Sequence, residues 1–184
     1  MKSKIRWTLL FILTSALSSS ACVRHGSAGS ESASRERARN RATIISLLGK
    51  PLTTEPVASS RKKLQDDLLA ARVARDENVD DPSKIVWVGR RLGYLWRIND
   101  AIEVYALGIA EFPDYAPLYR HRGHRLISAR RFREAIVDLE RAARLIAGKA
   151  DEIEQDGAPN ERGIPLTTTA FNGWYYLGLA RYLT

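Results

Sequence analysis

The residues of this chain with the most chemistry to offer lie in LYRHRGHRLISARR, Leu118 to Arg131, where Arg120, Arg122, Arg125, Arg130 and Arg131 stand with His121 and His124 and no acid intervenes. Two chemistries suit that composition. The first is metal binding, since His121 and His124 lie one helical turn apart. No third His or Cys is near them in sequence, and stable metal sites take three or four ligands, so no metal centre is expected. The second is anion binding, because each guanidinium is a planar, two-pronged donor matched to a carboxylate. The competing reading is a solvated basic face partly neutralised by Glu134, Asp138 and Glu140 in the next segment. The chain carries no glycine-rich phosphate loop, CxxC, HExxH or GxSxG, so nothing recommends an enzyme and no cofactor is implied.

What must position these side chains is read from the N-terminus onward. Residues 1–21 hold Lys2, Lys4 and Arg6, then an apolar run from Trp7 to Leu17, then small residues. That three-part layout is a secretory signal, and its apolar run is about half the ~20 residues needed to span a bilayer. Cys22, the single cysteine, follows directly. SSSAC resembles a bacterial lipobox, which implies a lipid on Cys22 and attachment to the membrane of the cell envelope. Ser19 and Ala21 equally fit ordinary small-x-small cleavage, which would leave a periplasmic or secreted protein with a free thiol. Either cleavage removes three positive charges and takes the formal net charge from +8 to +5. A basic protein exported past the inner membrane meets little nucleic acid, so a nucleic-acid partner is not expected.

Residues 22–60 read as a flexible tether rich in Ser, Gly, Ala and charge, followed by the Pro- and Thr-containing strap GKPLTTEPVASS. From 61 onward the pattern is helical. Leu64, Leu68, Leu69 and Val73 recur at helical spacing between charged residues, and Asp80 to Ser83 stop one helix and start the next. No segment alternates convincingly with period two, so the fold class is all-α. Laid on itself at an offset of 34 residues, the chain matches Gly89 to Gly123, Leu92 to Leu126, Ala101 to Ala135, Ile102 to Ile136 and Tyr105 to Leu139.

This pattern resembles the tetratricopeptide repeat family, whose unit is a helix, a tight turn and an antiparallel helix. The matching residues are Gly89, Leu92, Ala101, Tyr105, Gly108 and Pro113 in one unit, and Tyr119, Gly123, Leu126, Phe132, Ala135, Leu139 and Ala142 in the next. Trp96 departs from the family by replacing a small residue at the turn between helices. The resemblance spans 61–184 and implies a short α-solenoid of stacked antiparallel helix pairs. It also implies that first helices line a concave groove for an extended peptide. Arg90, Arg120 and His124 fall at groove-facing positions with Val86 and Tyr94 beside them, which makes a protein or peptide carrying a carboxylate or another acidic group the expected partner. The Lys and Asn pattern of the family's chaperone-binding clamp is missing.

Two features remain. Residues 147–170 form an insertion where this family needs only a few residues, and its first half carries Asp151, Glu152, Glu154 and Asp156. These acids are expected to pack over the arginine-rich helix and screen the groove. The C-terminal NGWYYLGLARYLT contains a W-x-x-L-G repeat opening at Trp174, Leu177 and Gly178. It reads as the first helix of a further repeat, and Trp174, Tyr176 and Tyr182 on it form a candidate surface for self-association or for a larger partner.

Overall fold

The computed structural model describes residues 46, 48–50, 58–154, 161–163 and 167–184. The signal segment, Cys22, almost all of the tether and strap and Asp156 lie outside the described residues. Six helices follow one another: α1 Ala58–Glu77, α2 Pro82–Tyr94, α3 Ile98–Glu111, α4 Ala116–Ser128, α5 Phe132–Ile146 and α6 Thr169–Tyr182. The described residues form no strand, only an isolated antiparallel bridge between Ile153 and Thr168. Each helix packs on its successor, and α2 also touches α4 and α4 touches α6.

Local chemistry explains the boundaries. Asp81 sits just before α2 in extended conformation and its carboxylate accepts from the Ser83 amide at 2.9 Å, while Pro82 opens the first turn. That arrangement satisfies one orphan donor and uses the one helix position where a missing N–H costs nothing. α3 stops at Glu111, two residues before Pro113, whose carbonyl accepts from the Tyr119 hydroxyl at 2.9 Å.

The two turns at 95–97 and 129–131 are built alike. The Arg97 amide donates to the Leu92 carbonyl at 2.9 Å and the Arg131 amide to the Leu126 carbonyl at 2.8 Å. The Trp96 amide donates to Gly93 and the Arg130 amide to Ile127. This is the double hydrogen bond that closes a helix through a left-handed residue. Trp96 and Arg130 supply that residue, with φ of 60° and 61°. The sequence reading ran the basic helix on to Arg131; it ends at Ser128 because Arg130 turns the backbone left-handed.

Left-handed backbone costs a non-glycine residue roughly 1–2 kcal/mol. The buried Nε of Arg130 also lacks a hydrogen-bond partner among the described residues. Arg130→Gly is therefore expected to stabilise the protein by about 1 kcal/mol, read as a thermal midpoint raised by roughly 3–5 °C. A lowered midpoint would show that Arg130 packing outweighs the strain.

The core has two parts. One gathers Leu68, Ile85, Val86, Val88, Leu92, Ala101, Tyr105 and Leu118 around α2 and α3; the other gathers Ile98, Ile102, Leu126, Ala129, Ala135, Leu139, Leu177 and Ala180 around α4, α5 and α6. Close approach of backbones depends on two glycines. A Cβ on Gly89 would lie 2.2 Å from the Tyr105 ring, and one on Gly123 would lie 2.7 Å from Leu139 Cγ. The residues matched at the 34-residue offset are thus the residues that touch. On α1 the apolar face divides: Leu68 is buried, whereas Leu69 and Val73 are exposed. α1 has α2 as its sole helical neighbour among the described residues, so a single narrow stripe finds cover.

Candidate functional site

Residues 120, 121, 124 and 125 share one face of α4, since helical neighbours recur at three- and four-residue spacing. That face borders a cavity of about 260 Å³. Arg90 and Tyr94 enter it from α2, Tyr105 from α3, Asn172 and Tyr176 from α6, and Glu154 and Thr167 from the insertion. The cations of the basic stretch therefore divide. Arg122 turns to α5, where it grips Asp138 through two hydrogen bonds of 2.6 and 2.7 Å. Arg131 likewise pairs with Glu134, from both Nε and Nη2. Glu140 pairs instead with Arg181 and Arg144. Arg122 and Arg131 are thus neutralised by the acids of α5, whereas Arg120 and Arg125 face the cavity.

Inside the cavity Arg120, only 4% exposed, forms an ion pair with Glu154 and donates to His121 Nε2 at 2.7 Å. A guanidinium cannot accept, so His121 Nε2 must be the unprotonated nitrogen of a neutral ring. Arg120 Nε is buried and has no hydrogen-bond partner among the described residues. Arg125 reaches the ring nitrogens of His124 at 2.8 and 3.1 Å and meets no carboxylate among the described residues. His124 stacks on Tyr176, ring centroids 4.0 Å apart, and His121 stacks on Tyr105 at 5.9 Å. Arg90 hydrogen-bonds the Tyr94 hydroxyl at 3.1 Å and lies over Trp87 at 4.5 Å.

Burial dominates the electrostatics. It pushes His124 down to about 3, helped by the nearby Arg125 charge, and holds His121 well below the usual imidazole range, helped by Arg120. Burial also lowers the pKa of Arg120, which Glu154 counteracts, and of Arg125. Both imidazoles are therefore neutral at physiological pH, and the positive charge belongs to the guanidiniums. Among the described residues no three His, Cys, Asp or Glu side chains gather as metal ligands.

The residues singled out by sequence separate as follows. Arg90, Tyr94, Arg120 and His124 line the cavity; Val86 does not. Val86 is buried in the α2–α3 core, and its carbonyl accepts from the Tyr105 hydroxyl at 3.4 Å. Arg125, His121 and Glu154 join the site although the groove positions omitted them. The signal for Arg125 was its spacing, four residues after His121 on the same helix. Tyr176 moves from the candidate assembly surface to the cavity wall, while Trp174 and Tyr182 remain on the outside, 61% and 87% exposed. Phe171 and Tyr175 are exposed beside them, so positions 171, 174, 175 and 182 of α6 form an outward aromatic stripe.

Of the four acids expected to screen the groove, Glu154 alone is seen to do so. Asp151 binds the start of α6 instead, accepting from Thr168 Oγ1 at 2.5 Å and from the Ala170 amide at 3.0 Å. Glu152 is exposed, and its carbonyl accepts from the Thr169 amide at 2.9 Å. With the Glu154 amide donating to Thr167, this pairing brings the two ends of the insertion together and points Glu154 at the arginines. No described helix is long and apolar enough to cross a membrane. Compared with known proteins, the chain matches no family model, no curated protein and no solved structure.

Proposed function

We propose that this protein is a non-enzymatic binding scaffold, a short α-solenoid of tetratricopeptide type, whose face formed by α2, α4 and α6 takes an acidic peptide or protein segment. The observation that carries this reading is the convergence of Arg90, Arg120 and Arg125 on one cavity in which Glu154 is the single acid among the described lining residues. A guanidinium withdrawn from water is costly unless it meets an anion, Arg125 is half-buried and meets no acid among the described residues, and the aromatic walls of Tyr94 and Tyr176 offer a contact surface for the chain that carries one. The solenoid reading draws support from the repeated turn at 96 and 130 and from the paired contacts Gly89–Tyr105 and Gly123–Leu139. Export and a lipid on Cys22 would place the scaffold at the cell envelope.

The test is fluorescence anisotropy with a fluorescein-labelled hexaglutamate and a hexalysine control at physiological salt. Hexaglutamate is expected to bind and hexalysine not to. Arg125→Met should weaken hexaglutamate binding by roughly 10- to 100-fold, the value of a charge-assisted hydrogen bond at a buried site. Absence of hexaglutamate binding, or binding indifferent to Arg125→Met, refutes the reading.

A second reading follows from the aromatic stripe of α6. Phe171, Trp174, Tyr175 and Tyr182 present a contiguous exposed apolar row of the kind that marks a protein contact. In that reading a second copy covers it. Sedimentation of the protein and of Trp174→Ser separates the two: a concentration-dependent dimer abolished by the substitution supports self-association, and a monomer across the micromolar range removes it.

A further inference from the structure

The acidic-ligand reading leaves open how much negative charge the cavity accepts, and the insertion bears on that. Glu154 reaches Arg120 from a segment tied at its root by the Ile153–Thr168 bridge and by Asp151 on the start of α6. Its carboxylate is partly buried and sits among cavity residues contributed by four other elements. It therefore behaves as a resident anion on a two-methylene stem, supplied by the chain itself.

Arg125 is placed differently. A Cβ at Gly93 would lie 2.7 Å from Arg125 Nη1, so the guanidinium passes across α2 at the point where no side chain blocks it. Its hydrogen-bond partner is the neutral ring of His124, and no described carboxylate reaches it. Cation count and anion count thus differ within one cavity: Arg120 is matched by Glu154, and Arg125 by none of the described acids. The other charged and titratable groups facing the cavity are Arg90, His121, Tyr94, Tyr105 and Tyr176.

We propose that Glu154 sets the charge of the ligand, holding Arg120 so that the cavity accepts a single carboxylate at Arg125 and discriminates against a doubly charged phosphate group. This inference rests on the acidic-ligand reading. A phosphoserine carries about −1.5 to −2 charge at neutral pH, so in the native site its second charge meets Glu154. Without the Glu154 charge, Arg120 and Arg125 together form a two-guanidinium site, and the preference shifts to the dianion.

The experiment compares two fluorescein-labelled octapeptides identical except for a central glutamate or phosphoserine. Each is titrated into the native protein, Glu154→Gln and Gly93→Ala at pH 7.5. The native protein is expected to favour the glutamate peptide. In Glu154→Gln the ratio of phosphoserine to glutamate affinity should rise about tenfold or more, the effect of removing one close like charge. Gly93→Ala displaces only the end of a flexible side chain and leaves the fold intact, as circular dichroism would verify. It should weaken the glutamate peptide severalfold by moving the Arg125 guanidinium. Binding of both peptides with an unchanged ratio in Glu154→Gln overturns the role of Glu154 and leaves the acidic-ligand reading standing. Failure of both peptides to bind any form overturns the two together.

Discussion

Lowering the pH from 7.5 to 5 is expected to destabilise the protein, by about 2 kcal/mol through His124 and further through the buried His121. His124 has a folded-state pKa near 3, and His121 is also held well below its usual range. In the unfolded chain both titrate near 6.5. The folded protein therefore binds fewer protons than the unfolded one throughout the interval below 6.5. The stabilising contribution of the neutral rings is complete above about 6.5 and is lost as the pH falls toward 3. Protonation is opposed first by burial and then by the surrounding arginines, and it would abolish the acceptor that Arg120 uses at His121 Nε2. The expected observation is a thermal midpoint at pH 5 lowered by roughly 6 °C or more. His124→Gln should remove about 2 kcal/mol of the dependence. A midpoint unchanged between pH 7.5 and 5 would mean that the cavity admits water or counter-ions freely enough to solvate both imidazoliums.

The second large effect is expected from a single methyl group. Gly89→Ala places a Cβ 2.2 Å from the Tyr105 ring, and Tyr105 is among the fully buried side chains. The ring has no exposed edge into which to retreat. It is packed against α2, and its hydroxyl meets the Val86 carbonyl three residues earlier on that helix. Either α2 and α3 separate, uncovering Leu92, Ala101 and Leu118, or Tyr105 leaves its place. Overpacking of this kind costs about 3 kcal/mol and should lower the thermal midpoint by roughly 10 °C. Gly178→Ala is the matched control. Its Cβ meets nothing within 4 Å, so higher helix propensity should make it neutral or stabilising by up to about 1 kcal/mol. Equal effects at 89 and 178 would show that helix propensity, not the contact with Tyr105, governs position 89.

Those contacts explain how much could be read without coordinates. The all-helical class and helix limits near Asp81 and Pro113 were legible because capping and proline chemistry act locally. The pairing of Gly89 with Tyr105 left a trace because a close helix crossing needs one partner small and one large. The left-handed turns did not, since Trp96 and Arg130 stand where glycine would have announced them. The arginine-lined cavity was half legible. An acid-free helix signals that charge must be dealt with elsewhere, but which of its arginines face inward depends on helix rotation. Two residues of that rotation separate Arg120 in the cavity from Arg122, paired with Asp138 on α5. Tyr176 differs from Tyr175 in the same way: adjacent in sequence, one stacks on His124 and the other faces solvent. Glu154 was one of four equivalent acids in the sequence, and only the backbone pairing at the root of the insertion distinguishes it.

That pairing makes the segment between Glu154 and Thr167 a convenient place to lengthen the protein. Its ends are already held together by the amide contacts of Glu154 and Thr169 and by the grip of Asp151 on Thr168 and Ala170. Loop-closure entropy grows only with the logarithm of length, so doubling the intervening chain costs about 0.6 kcal/mol. An epitope, a fluorophore-bearing tag or a small domain grafted there would enter between two ends, Glu154 and Thr167, that both line the arginine cavity. It would report on whatever enters the cavity from a distance set by the graft.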